Sequence, residues 1–178
     1  MKLNIIDVAT STMRSVNKCL GTMSQLEIKE MPQVVQKSIT EFVADAPIDT
    51  FTSVLEFGLP GEGQSKGGMV IYIAPENIKA LFSELYGLDS ASTNKEIADM
   101  CGEFINVIIG RFKTELTSIG YGEISIGIPK NSFGAAKQKV KVDVKTKYEI
   151  TFTKHKRPFL VVDVALETSE DDLDSINS

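Results

Sequence analysis

Thr93-Asn94-Lys95-Glu96-Ile97-Ala98-Asp99-Met100-Cys101-Gly102-Glu103-Phe104-Ile105-Asn106-Val107-Ile108-Ile109-Gly110-Arg111-Phe112-Lys113-Thr114-Glu115-Leu116-Thr117-Ser118-Ile119 is the longest helical pattern in the chain. At about 100° per residue, Ile97, Met100, Cys101, Phe104, Ile105, Ile108, Phe112, Leu116 and Ile119 fall on one broad side. A helix with one apolar side needs another layer to cover it. Thr93 and Glu96 form a capping-box signature at the start, and Gly120 and Gly122 end the pattern. Cys101 lies on the apolar side and reads as a small buried hydrophobe.

Strand-like stretches surround this helix. Thr52 to Leu59 is β-rich, and Met69-Val70-Ile71-Tyr72-Ile73 reads as a buried strand. A long loop from Pro60-Gly61-Glu62-Gly63 to Gly67-Gly68 would join them as a hairpin. Pro75 starts a helix through Tyr86, with Gly87 as its stop. Residues 4–20 repeat Ile5, Val8, Ala9, Val16 and Leu20 at helical spacing, with Gly21 as a stop. Residues 33–44 could hold a short strand, and residues 123–128, 140–153 and 159–166 are strand-like. Short links between successive strands favour antiparallel pairing. The expected class is α+β, with long helices packed on an antiparallel sheet. A single domain over residues 1–166 is expected, followed by an acidic tail, 167–178, expected to be disordered.

Composition narrows the chemistry. The 178 residues are 42% hydrophobic and 24% charged, as in a globular domain. There are two cysteines, Cys19 and Cys101, and one histidine, His155. A four-ligand zinc site and a disulfide framework are therefore excluded. His155 sits in a Lys/Arg run without a partner for a nucleophilic triad. No apolar run approaches the ~20 residues that span a bilayer, so no membrane insertion is expected. Met1 to Asp7 lacks the apolar core of a signal peptide, and the thiols suit a reducing compartment; a cytoplasmic location is expected. From Lys137 to Arg157, eight Lys/Arg oppose only Asp143 and Glu149. Lys139 to Lys147 alternates lysine with valine, which reads as a half-exposed strand whose lysines discourage edge pairing. No aromatics interleave to stack on bases, so nucleic acid is not an expected partner.

The opposite side of the long helix is more informative. Asp99, Glu103, Asn106 and Gly110 follow one another in steps of four, three and four, making one stripe, with Lys113 at its edge. An ordinary solvated face would account for polar residues there. It would not account for Gly110, which costs about 1 kcal/mol relative to alanine inside a helix. A glycine there allows close approach to the helix backbone. Val107 and Ile109 flank the stripe and would offer a partner apolar surface. The stripe reads as a docking surface with an acid and an amide at its centre.

Gly102 to Gly110, closed by Leu116, resembles the Glu-x-x-Asn helix of the CheX/CheC/FliY chemotaxis phosphatases. Ile128-Pro129-Lys130-Asn131-Ser132-Phe133-Gly134 is similar to that family's strand-end Pro-x-x-x-x-Gly. Gly68 to Pro75 is similar to its Gly-led strand running into a helix. The resemblance covers residues 1–166, weakly at 22–50. With a single Glu-x-x-Asn, the chain looks more like CheX, the one-site member that works as a homodimer.

The resemblance implies a phosphatase acting on the aspartyl phosphate of a CheY-like response-regulator receiver. Asn106 would position the attacking water, and Glu103 would pair with a lysine of the partner. Asp99, Gly110 and Lys113 would complete the docking surface. The chain would carry no cofactor or metal of its own, because Mg²⁺ sits on the partner receiver. The alternative is a non-catalytic adaptor or flagellar-switch component that binds a receiver through the same face.

Overall fold

The structure, a computed structural model, describes residues 5–23, 28–41, 50–58, 65–86, 93–121, 124–134 and 142–167. Its elements run α1 (Ile5–Met23), β1 (Gln33–Ser38), β2 (Thr50–Gly58), β3 (Ser65–Ile73), α2 (Pro75–Tyr86), α3 (Asn94–Ser118), β4 (Ser125–Ile126), β5 (Lys130–Gly134), β6 (Thr146–Lys154) and β7 (Arg157–Leu166). The seven strands of the described residues form one antiparallel sheet in the order β1-β6-β7-β3-β2-β4, with β5 also paired to β2. Helices cover one face of it. The expected α+β class holds, as does the hairpin of β2 and β3.

Period-two alternation gives each strand two different faces. Towards the helices point Phe51, Leu55 and Phe57 of β2, Met69, Ile71 and Ile73 of β3, and Ile150 and Phe152 of β6. They pack with Val16 and Leu20 of α1, Ile78 and Leu81 of α2, and Ile97 to Leu116 of α3 as one core. Each fully buried aliphatic or aromatic side chain contributes about 1.5–3 kcal/mol. The largest part of the fold's driving force therefore lies between α1, α3 and this face.

The far face carries buried charge. Lys147 and Asp163 are 2% and 1% exposed, and Lys147 Nζ lies 2.5 Å from Asp163 Oδ2. On the neighbouring strand, Lys37 Nζ reaches Glu149 Oε2 at 2.7 Å. Glu149 stands directly opposite Asp163, and Lys37 opposite Lys147, so the signs alternate diagonally across β1, β6 and β7. Asp163 Oδ1 is buried and has no hydrogen-bond partner among the described residues. Burial raises the Asp163 carboxyl from 3.8 to about 6, against the opposing hydrogen bond from Lys147. Around this ladder lies a second apolar cluster, of Val70, Tyr72, Val144, Val161 and Ala165.

Several expectations are corrected here. The lysine-valine alternation is not strand over residues 142–145, because β6 begins at Thr146; the expectation for residues 139–141 lies outside the described residues. Lys147 faces a carboxylate, not solvent, while Val144 is buried in the second cluster. β5, unforeseen as a strand, pairs with β2 from Thr50 to Val54. Gly21 lies inside the last turn of α1, which continues to Met23. Pro158 lies within β7; the break between β6 and β7 is the two-residue turn His155-Lys156, with φ of 52° and 62°. Positive φ at both central residues is the geometry whose twist matches a two-residue hairpin. The expectation for residues 168–178 lies outside the described residues. Glu167 is described: its N–H donates to Lys66 O at 2.8 Å, and its carboxylate is 3.0 Å from Lys66 Nζ.

Candidate functional site on the long helix

The capping box fixes the start of α3. Thr93 Oγ1 accepts from the Glu96 N–H at 3.3 Å, and the Thr93 N–H donates to Glu96 Oε2 at 2.7 Å. The helix ends at Gly120 in the left-handed region, with φ 86°. There the Gly120 N–H donates to Thr117 O and the Tyr121 N–H to Leu116 O, each at 3.0 Å. This 6→1 and 5→2 pair is a Schellman closure.

Rotation of α3 about its axis is set from both flanks. On the α1 side, Glu115 is nearly buried and is held by Lys18 and, at 3.8 Å, by Arg14. Arg111 Nη2 donates to Thr22 Oγ1 at 3.0 Å. On the other flank the helix lies against β2 and β5, where Gly102 is buried beneath Asn131. With those sides committed, the outer face is determined.

Asp99, Glu103, Asn106 and Gly110 are all exposed on that face. The side chains of Glu103 and Asn106 have no hydrogen-bond or ion-pair partner among the described residues. A Cβ built on Gly110 would meet nothing within 4 Å, so the glycine leaves an open notch one turn beyond Asn106. Thr114 Oγ1 donates to Gly110 O at 3.0 Å, which satisfies that carbonyl a second time without filling the notch. Lys113 is half-buried and engaged with another group. It borders the stripe and is not a free cation within it.

Ile109 departs from expectation. It is 0% exposed, part of the main core, and offers a partner nothing. Val107 is half-buried against the core and, unlike Ile109, reaches the surface. Cys101 is buried, and burial pushes its thiol up to about 12, which suppresses the thiolate and removes it as a nucleophile. Cys19 is buried and raised to about 12 for the same reason. No group of three or more His, Cys, Asp or Glu able to hold a metal occurs among the described residues.

Sequence reasoning gave no role to Gly102, Ser53 or Asn131. Ser53 Oγ donates to Asn131 Oδ1 across the β2–β5 pair, where the two residues stand opposite each other. The signal for Gly102 was the same as for Gly110, a costly glycine inside a helix. Its opposite burial shows that one glycine serves packing inside the fold while the other faces outward.

The fold is thus an antiparallel sheet crossed by a long helix whose outer face exposes Glu103 and Asn106. The family described as "Chemotaxis phosphatase CheX" matches residues 55–153. The chain belongs to this CheX family. Solved structures agree in fold. A CheC-like superfamily protein from Shewanella sp. PV-4 superimposes with a TM-score of 0.71 at 20% identity, covering 93% of this chain and 99% of that one. Chemotaxis protein CheX from Vibrio vulnificus gives 0.70 at 18% identity, covering 90% and 99%. CheX from Borrelia burgdorferi, solved in a CheX-CheY-BeF3-Mg²⁺ complex, gives 0.61 at 19% identity, covering 91% and 99%. No curated protein matches the chain by sequence.

Proposed function

We propose that this chain hydrolyses the aspartyl phosphate of a CheY-like response-regulator receiver. The observation that carries the reading is the pair Glu103 and Asn106, exposed and, among the described residues, unpartnered on neighbouring positions of α3 beside the open notch at Gly110. Membership of the CheX family and the Borrelia complex with CheY support the choice of substrate.

The reaction needs little from the phosphatase. Water attacks phosphorus in line as the bond to the aspartyl oxygen breaks. The carboxylate departs with the electron pair, and inorganic phosphate leaves with the proton shared between it and solvent. A carboxylate is a good leaving group, so positioning and electrostatics suffice. Asn106, with a carbonyl acceptor and an NH₂ donor on one rigid amide, orients the water. Glu103 forms a charge-assisted pair with a lysine of the receiver and holds the register. Asp99 and Gly110 extend the contact, and Lys113 lies at its border. Mg²⁺ belongs to the receiver, where it neutralises phosphoryl charge. The reading includes a homodimer in the cytoplasm; light scattering that reports a mass near 19.5 kDa at micromolar concentration would remove the dimer.

The test mixes the protein with Mg²⁺-loaded receivers labelled by a small-molecule phosphodonor and follows phosphate loss. Faster loss that Asn106→Ala abolishes, with receiver binding retained, is the expected result. Unchanged decay with several receivers from the same genome would overturn hydrolysis and leave a non-catalytic adaptor.

A further inference from the structure

Gly102 and Asn131 make a contact that ordinary packing does not demand. Gly102 is buried on the flank of α3, and a Cβ there would lie 2.5 Å from Asn131 Nδ2. Real Cβ atoms do not come that close, so the amide of Asn131 rests on bare helix backbone. The amide is also oriented. Its Oδ1 accepts from the hydroxyl of Ser53, which is 0% exposed and lies opposite Asn131 in the β2–β5 register. With Oδ1 tied to β2, Nδ2 is the end turned to α3.

The place of this contact on α3 gives it a consequence. Gly102 precedes Glu103 and lies four residues before Asn106, on the adjoining helix row. Asn131 therefore bears on the turn that presents both site residues. The opposite flank is fixed a turn or more further on, by Arg111 and Glu115. The α1 clasp and the Asn131 seat hold different turns of the helix.

We propose that Asn131 is a positioning residue for Asn106. Its amide, oriented by Ser53 and seated on Gly102, sets the distance and rotation of the middle turns of α3 against the sheet edge. It thereby sets where the Asn106 amide falls when a receiver docks. This rests on the phosphatase reading above. Misplacing a catalytic group by about 1 Å costs on the order of 100-fold in rate, so a spacer remote from the chemistry can govern turnover.

The experiment measures kcat and KM for phosphoreceiver hydrolysis, with thermal melting as a check on folding. Asn131→Ala should lower kcat by about 10- to 100-fold while KM changes less than about twofold. Gly102→Ala, which pushes the amide away, should cause a similar loss. The double variant G102A/N131S should recover much of the rate, because the added methyl fills the space that the shorter side chain vacates. Asn131→Ala with kcat within about twofold of the parent would overturn the proposal. A rise in KM alone would also overturn it, since it would make Asn131 a direct docking contact. A double variant no better than its parents would do so as well.

A second readout is independent of turnover. Amide hydrogen exchange over residues 102–106 should quicken in Asn131→Ala, with residues 112–116 unchanged. Unchanged exchange at 102–106 would overturn the proposal even if activity fell. If the parent protein hydrolyses no receiver, the phosphatase reading fails instead, and the exchange pattern alone decides whether Asn131 holds the helix.

Discussion

The outer stripe of α3 and the far face of the sheet both carry polar side chains, in opposite conditions. Lys37, Lys147, Glu149 and Asp163 are largely withdrawn from water, and each finds its counter-charge within the chain. Glu103 and Asn106 stand in water with no partner among the described residues. Desolvated charges must be paired where they lie, so the ladder's binding capacity is consumed by the fold. The stripe keeps its capacity for a second molecule. The ladder's charges are committed to the fold, while the exposed pair stays open to a second molecule.

The largest effect that would test this contrast is at Lys147. Lys147→Met leaves Asp163 buried without its cation and should cost about 3–5 kcal/mol in urea unfolding. A cost below about 0.5 kcal/mol, the scale of ordinary surface changes, would mean that the ladder is not desolvated. Replacing both partners, as K147M/D163L, should restore stability to the parent level or exceed it by about 1–4 kcal/mol.

The same carboxyl gives a pH signature. Folded Asp163 holds its proton up to about pH 6, above the ordinary 3.8. Its contribution to stability is therefore fully present below 3.8 and is lost as pH rises through about 6. Unfolding free energies of the parent, taken relative to Asp163→Asn, should fall across that window and level off above it. A difference that is flat with pH would show that Asp163 is solvated.

On the stripe, effects on stability should be smaller and should separate from effects on activity. Gly110→Ala meets no neighbour and should stabilise the helix by about 1 kcal/mol. It should also weaken receiver binding, measured by titration, because the methyl occupies the notch. Unaltered affinity would remove the notch from the docking surface. Asn106→Ala should change stability by less than about 0.5 kcal/mol while abolishing the acceleration of phosphate loss.

The sequence made the long helix and its outer stripe legible because both depend on local spacing. Thr93 and Glu96 cap each other within one turn, and the core side repeats every three or four residues. The lysine-valine stretch was not legible for the complementary reason. Alternation gives the same pattern whether a lysine faces water or a carboxylate on the next strand, and Asp163 lies sixteen residues away from Lys147. Asn131-Ser132-Phe133-Gly134 has the composition of a turn, and its strand exists because β2 offers a free edge. Ile109 sits at the boundary of the apolar side, where helical angle alone does not decide between core and surface. Asn131 escaped notice because its role depends on Ser53 and Gly102, which only the sheet register brings together.

The central position of β3 has a consequence for the timing of folding. Its hairpin with β2 closes between neighbours in the chain, but its other edge pairs with β7, bringing Gly67 beside Leu166. Contacts of such wide separation slow folding, since the intervening chain must be ordered first. During synthesis, Met69 to Ile73 would therefore present an open apolar strand edge until β7 emerges. A nascent chain halted before Arg157 would hold the whole of α3, with Glu103 and Asn106 already made, on a sheet still lacking its middle.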